Sequence, residues 1–292
     1  MAERSLVNAV IRNNGGSAEH YYHFLFGYFL PLCAYMSRRT GDPPITLARE
    51  CGPMNRIIYE VGIPGLLLCN RRSHAMCLEA LSADARWEHV DTKGIDLHRR
   101  RQPVYDVEAV TRVVTEGAGY IRARLGASIE RHCGRLQAEW GSPPRVLLIE
   151  RGVPDPYYSS SVVETPGSGS SRRTITNSRE LLAALKTVFG HVKNVALERL
   201  DLAEQIALFQ TADVVIGQHG AGLANTLWMR RGSHVCEFIQ APEQQRTYGD
   251  LSAIYGLEHH FLWQRDFKDP VDVRESVVRI SGVVDATSRA PG

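Results

Sequence analysis

DVVIGQHGAGLANTLWMRRGSHVCEF, residues 213 to 238, reads as strand, glycine turn, helix, strand. Val214 to Ile216 is a short apolar run, and Gly217, Gln218, His219 and Gly220 break it. Ala221 to Arg230 carries helix formers with apolar residues at Leu223, Leu227 and Trp228. Gly232 stops that pattern, and Val235 to Ile239 is a second apolar run. This order predicts a βαβ unit, which sets a helix N-terminus at the carboxyl edge of a parallel sheet. Such an N-terminus offers unpaired backbone N–H groups and the positive end of the helix dipole. Gly220 and Gly222 would let an anion approach the main chain closely. A glycine-rich structural turn with nothing bound explains the same residues and stays open at this point.

Working outward, the carboxyl-terminal half supplies more such units. Val146 to Ile149 is a buried strand followed by Glu150, Arg151 and Gly152. Residues 153 to 171 form a long loop without periodicity, a length usually tied to function or mobility. Arg172 and Arg173 precede a helix over Leu181 to Phe189, with Asn177 or Ser178 as its N-cap. Val192 to Leu197 is a strand, and Leu202 to Gln210 a helix capped by Asp201. Beyond the central motif, Gln244 to Tyr255 reads as helix, His260 to Trp263 as strand and Val271 to Val284 as a last helix.

Toward the amino terminus, Leu6 to Ile11 reads as a strand and Asn13 to Ser17 as a loop. Glu19 to Met36 suits a largely buried helix with a kink at Pro31. His20 and His23, three apart, lie near one of its faces. They fit either an α/β ligand site or two packed core histidines. Short strands follow at Ile45 to Ala48, Leu66 to Cys69 and Trp87 to Val90. A helix over Asn55 to Val61 is closed by Gly62, and Val107 to Leu125 is another, weakened by Gly117 and Gly119. Gly141-Ser142-Pro143-Pro144 marks the clearest boundary. The expected architecture is α/β: two Rossmann-like domains, 1–141 and 142–268, facing a central cleft, with a helix and tail over 269–292.

Composition narrows the function. With 292 residues, 43% hydrophobic and 23% charged, the chain is an ordinary globular protein. A net charge of +2 argues against nucleic-acid binding by bulk charge. Lys93, Lys186, Lys193 and Lys268 are the only lysines among 34 basic residues, so arginine forks suited to phosphate abound. Cys33, Cys51, Cys69, Cys77, Cys133 and Cys236 form no CxxC pair and read as reduced core thiols. No apolar run approaches the ~20 residues of a membrane span, and the start MAERSLVNAV lacks a signal-peptide layout. A cytoplasmic protein is the expectation; an anchor upstream, or peripheral membrane or complex association, stays open.

A P-loop, a GxGxxG after the first strand of either half, HExxH, paired cysteine ligands and a DxD pair are all absent. What remains is Arg151, the Arg172–Arg173 pair and the Gly220–Gly222 turn, all expected at one sheet edge. Together they would form a pocket for a diphosphate. Glu237, at the end of the next strand, could accept from ribose hydroxyls. Isolated surface charge is the plain alternative for each arginine. No metal or cofactor is expected, because arginines and a helix dipole can neutralise a leaving diphosphate.

RVLLIERG, SSRRTITNSRELL and LERLDLAEQIALFQTADVVIGQHGAGLANTLWMRRGSHVCEF, in that order, resemble glycosyltransferase family 61. YYHFLFGYFLPL resembles the family's histidine-containing helix. The resemblance spans most of residues 15 to 240 and is densest over 145 to 240. It implies an inverting, metal-independent transferase of GT-B type that uses a nucleotide-diphosphate sugar, with UDP expected, and a glycan, protein or other hydroxyl acceptor. It implies that Arg151 and Arg173 contact donor phosphates, with Asn177 nearby. His219, Gly220, Ala221, Gly222 and Leu223 would cradle the diphosphate, and Glu237 would hold the nucleoside. His23 would face the acceptor. Family members commonly place an acid four residues after that histidine; here the position is Gly27. His23, then Glu19, are the candidate general bases. A degenerate, non-catalytic nucleotide- or glycan-binding relative is the alternative, and an unrelated phosphate-binding α/β protein is a third.

Overall fold

The computed structural model describes residues 7–11, 17–39, 46–63, 66–69, 86–90, 95–96, 104–161, 163 and 166–288. The expected loop at Asn13 to Gly16, Cys77 and the tail beyond residue 288 lie outside them. The chain divides into two compact units, Met1–Gly126 and Ala127–Gly292.

In the first unit the elements run β1 (Val7–Ile11), α1 (Tyr21–Phe24), α2 (Leu30–Ser37), β2 (Thr46–Arg49), α3 (Asn55–Val61), β3 (Leu66–Cys69), β4 (Arg86–Val90), β5 (Ile95–Asp96) and β6 (Val104–Tyr105). β1 pairs with β4 and β2 with β3, both parallel, while β5 and β6 are antiparallel. Between α1 and α2, Leu25–Phe29 forms a π turn, in which the Leu30 N–H donates to the Leu25 carbonyl. Proline lacks an N–H and its ring crowds the carbonyl four residues back, here that of Gly27. The wider π register gives the expected disruption at Pro31 its form. Phe24, Leu25, Phe26, Phe29, Leu30 and Leu32 are all buried, so this helix is apolar all round.

α4 (Val107–Trp140) is a single helix of 34 residues. Gly117 has a packing reason, since an added Cβ would lie 2.6 Å from the Leu30 carbonyl oxygen. The last turns of α4 belong with the second unit. There Trp140 donates to the His191 carbonyl at 3.2 Å, Lys193 pairs with Glu139 at 3.1 Å and Arg135 pairs with Glu204. These contacts set the division inside α4, ahead of the Gly141–Pro144 stretch.

The second unit continues with β7 (Val146–Glu150), α5 (Ser178–Phe189), β8 (Val192–Ala196), α6 (Leu202–Thr211), β9 (Val214–Gln218), β10 (His234–Ile239), α7 (Gln245–Tyr255), β11 (Glu258–Trp263) and α8 (Val273–Ser288). The five strands form one sheet in the order β11-β10-β9-β7-β8, every pair parallel. Alternation puts Val146, Leu148, Val214, Ile216, Cys236 and Phe238 on one face. They pack with Leu181 and Leu185 of α5 and Ile280 and Val284 of α8. The opposite set includes Leu147, Val215 and Glu237. This parallel α/β unit is consistent with the expected Rossmann-like fold. Counted in chain order the strands run 2-1-3-4-5, so the winding reverses between β7 and β9. Ligand crevices of open α/β sheets lie outside the carboxyl ends of the strands at such a reversal.

Two local expectations change. Residues Ala221–Trp228 form a 3₁₀ helix, not an α-helix. In 3₁₀ geometry residues three apart eclipse, and this segment uses that spacing. Thr226 Oγ1 donates to the Leu223 carbonyl and Trp228 Nε1 to Asn225 Oδ1. Asn225, fully buried, is also tied to Gln205 of α6. Asn177 occupies the N-cap position of α5, yet its side chain makes no cap bond. Its amide donates to the Val271 carbonyl and accepts from the Val271 N–H, both at 2.9 Å.

Candidate functional site

Arg151 follows β7 and His219 follows β9, so both stand at the winding reversal. The His219 carbonyl accepts from Arg151 Nη2 at 2.9 Å and from Arg173 Nη1 at 2.5 Å. Two guanidinium groups from separate segments thus converge on one backbone oxygen. Arg173 is held by its neighbour, since the Thr174 N–H donates to the Phe267 carbonyl at 2.8 Å. Its guanidinium lies 4.5 Å from the centre of the Phe267 ring, a cation–π distance. His219 stacks on the same ring, 6.2 Å between centroids and 7° between planes, and meets Tyr248 edge-on at 5.3 Å. Phe267 therefore aligns one guanidinium and one imidazole.

Like charges meet here, with Glu198 acting on Arg151 and Glu237 on Arg173 through space. Burial, with Arg173 beside it, pulls Arg151 down to about 10. Burial and the Arg172 charge lower Arg173 as well. Among the described residues neither guanidinium is in an ion pair, and two partly buried cations held close together are stabilised by an arriving anion. Burial, then the charges of Arg173 and Arg151, holds His219 down to about 3, so its ring is neutral near pH 7.

Behind His219 lies a buried polar chain. Glu237 is 0% exposed. Its Oε1 is 2.5 Å from His219 Nδ1 and its Oε2 is 2.9 Å from His259 Nε2. His259 Nδ1 lies 2.7 Å from Ser252 Oγ on α7. Burial pushes the Glu237 carboxyl up, while Arg173 acts in the opposite sense. Burial, with His260 adjacent, holds His259 down to about 3.

The glycines also have packing roles. An added Cβ at Gly220 would overlap the Arg151 guanidinium, so this glycine makes room for the arginine. At Gly222 a Cβ would press at 3.3 Å on Ile149 and Leu197. Gly222 thus serves helix-to-sheet packing. Leu223 is buried beneath Gly217, where an added Cβ would meet its Cδ2 at 3.1 Å. Ala221 is partly exposed at the helix start.

The structure thus brings Arg151, Arg173, His219 and Gly220 together. Glu237 sits behind the imidazole, fully buried, with both oxygens turned to histidines. Asn177 is engaged with Val271. His23, in α1, and Glu19 belong to the first unit. Glu19 is 6% exposed and accepts from Ser17 Oγ at 3.0 Å. Phe267, Tyr248, His259 and Ser252 were not singled out from sequence. Period-two alternation in β11 could have flagged His259; Phe267 lies in a loop with no pattern to mark it. Among the described residues no three His, Cys, Asp or Glu side chains are grouped to hold a metal ion. None of the described helices is long and apolar enough to cross a membrane. Cys33, Cys51, Cys133 and Cys236 are free thiols.

The family model described as Glycosyltransferase 61 matches residues 21–236. Curated relatives match over about a third of this chain. An EGF domain-specific O-linked N-acetylglucosamine transferase of Drosophila melanogaster is 35% identical over 107 residues, covering 35% of this chain and 20% of the relative. The Gallus gallus protein of that name is 34% identical over 96 residues, 32% of this chain and 18% of its own length. A protein O-linked-mannose beta-1,4-N-acetylglucosaminyltransferase 2 of Tetraodon nigroviridis is 32% identical over 106 residues, 35% of this chain and 18% of the relative. The matched stretch spans about a fifth of these relatives.

Proposed function

The chain belongs to glycosyltransferase family 61, and from that premise we propose that it transfers a sugar from a nucleotide-diphosphate sugar to a hydroxyl acceptor. The observation that carries this reading is the convergence of Arg151 and Arg173 on the His219 carbonyl at the sheet's winding reversal. Bidentate guanidinium forks suit phosphate oxygens, and the donor diphosphate is the anion that fits two cations held close together. Matched relatives are named as N-acetylglucosaminyltransferases, which favours a UDP-linked sugar and a glycan or protein acceptor.

In the proposed reaction the acceptor oxygen bonds to the anomeric carbon as the bond from that carbon to the diphosphate breaks. The electron pair leaves with the diphosphate, and the acceptor proton passes to a base. Transfer is inverting and of GT-B type, as the family resemblance implies. Arg151, Arg173 and the N–H groups at the start of the 221–228 helix carry the leaving charge, so no metal ion is needed. His23 is the first candidate for the base, with Glu19 second. A donor-binding relative without efficient transfer is the second reading, favoured by Gly27, which is buried in the π turn and offers no carboxyl.

The test is release of UDP from candidate UDP-sugars with and without EDTA. Turnover that survives chelation is expected. Abolition by chelation, restored by a divalent ion, would remove the arginine-only reading. Firm UDP binding with no turnover of any UDP-sugar would select the second reading.

A further inference from the structure

Glu237 is placed unusually for a carboxylate. It lies on β10 and is faced by His219 after β9 and by His259 on β11, with Arg173 acting through space; on α7, Ser252 meets the His259 ring and Tyr248 the His219 ring. Among the described residues its only ion-pair partners within 4.0 Å are the two imidazoles. Heavy-atom distances of 2.7, 2.9 and 2.5 Å link Ser252, His259, Glu237 and His219 in series. Protons can run along this series in two ways. If the carboxylate is ionised, both rings donate to it and the outer nitrogen of His219, Nε2, is a bare lone pair. A buried negative charge then lies behind a site built for an anion. If the carboxyl keeps its proton, Ser252 donates to His259 Nδ1, and His259 Nε2–H donates to Oε2. The Oε1–H then donates to His219 Nδ1. His219 carries its own proton on Nε2, as a donor. From Ser252 to His219 Nδ1 every bond of this second series is made, and no charge is buried.

We propose that Glu237 is a neutral acid that positions His219 as an Nε2–H donor toward the diphosphate, with His259 and Ser252 completing the chain. The inference deepens the diphosphate-binding reading above and rests on it. Burial raises the Glu237 carboxyl and keeps both rings neutral, which agrees with this arrangement. Glu237, Ser252 and His259 all lie beyond the matched family region, which ends at residue 236. Glu237 is here a positioning residue, because it acts through His219.

Glutamine separates the two series. Its amide can donate to His219 Nδ1 while its oxygen accepts from His259, as a neutral acid does. Two measurements test the proposal. In the free protein, nitrogen NMR of labelled histidine reads the tautomer of His219 directly, assigned by the signal lost in His219→Gln. The Nε2–H form at pH 7 is expected; the Nδ1–H form or a doubly protonated ring would overturn it. In calorimetry with UDP, Glu237→Ala is expected to lose about tenfold or more in affinity, and Glu237→Gln to recover to within about threefold of wild type. A folded Glu237→Gln as impaired as alanine would also overturn it. The tautomer decides the matter even if the alanine variant does not fold. If wild type binds no UDP, the diphosphate reading fails, and the tautomer still decides whether Glu237 is neutral.

Discussion

At the residue scale, Gly220 and the two central histidines carry the sharpest expectations. Gly220 is required by the arginine beside it, since an added methyl would overlap the flexible end of Arg151. Gly220→Ala should lower the melting temperature, because a φ of +157° is strained for a side chain, and should weaken UDP binding by about 1–2 kcal/mol as Arg151 is displaced. Equal affinity in calorimetry would remove Arg151 from the site. The histidines link the site to acid stability. His219 and His259 are held down to about 3 when folded, against about 6.5 when unfolded. The unfolded chain therefore binds more protons between those values. The stability these rings contribute is complete above pH 6.5 and is lost as pH falls toward 3. Glu237, raised by burial, runs the other way: its contribution is present below its unfolded value and lost as pH rises through the folded one. Urea unfolding at pH 7 and pH 5 should show a smaller acid loss for His259→Gln than for wild type. Equal losses would show that the ring is not held neutral by the fold. Arg151 and His219 stood out in sequence because each follows a strand, Arg173 because it precedes a helix, and Glu237 because it interrupts an apolar run. Their partners could not, since Phe267 sits in an unpatterned loop and Ser252 looks like any helix serine.

At the element scale, the chain teaches where periodicity suffices. The strands of the second unit were legible because apolar runs between glycine and polar breaks leave little choice. The 221–228 helix was legible as a helix but not as 3₁₀, because that choice rests on buried Asn225 bonding to Gln205, a contact between distant segments. The Pro31 disruption was legible; its form as a π turn was not. In α4 two glycines look alike in sequence and differ in space. Gly117 faces the Leu30 backbone at 2.6 Å, while Gly119 has nothing within 4 Å of an added Cβ. Gly119→Ala should stabilise the protein by about 0.5–1 kcal/mol through helix propensity. Gly117→Ala should destabilise it by about 1–3 kcal/mol, because a backbone carbonyl cannot yield as a side chain can. Chemical denaturation checks both, and matching signs would contradict the packing at Gly117.

At the scale of the whole molecule, the parallel sheet of the second unit was expected in kind, and its winding reversal between β7 and β9 was not. Strand order was not readable, because order depends on which faces the helices cover and not on local pattern. That order is what brings the end of β7 beside the end of β9, and with them Arg151 to His219. The claim everything else depends on is that this corner of the second unit receives a nucleoside diphosphate. Titration calorimetry of the wild type with UDP and with inorganic phosphate, and of Arg173→Ala with UDP, tests it most directly. UDP should bind much more tightly than phosphate, and the variant should lose about 1.5–3 kcal/mol, the worth of a charge-assisted pair. Equal affinity for UDP and phosphate, or an unchanged Arg173→Ala, would contradict it.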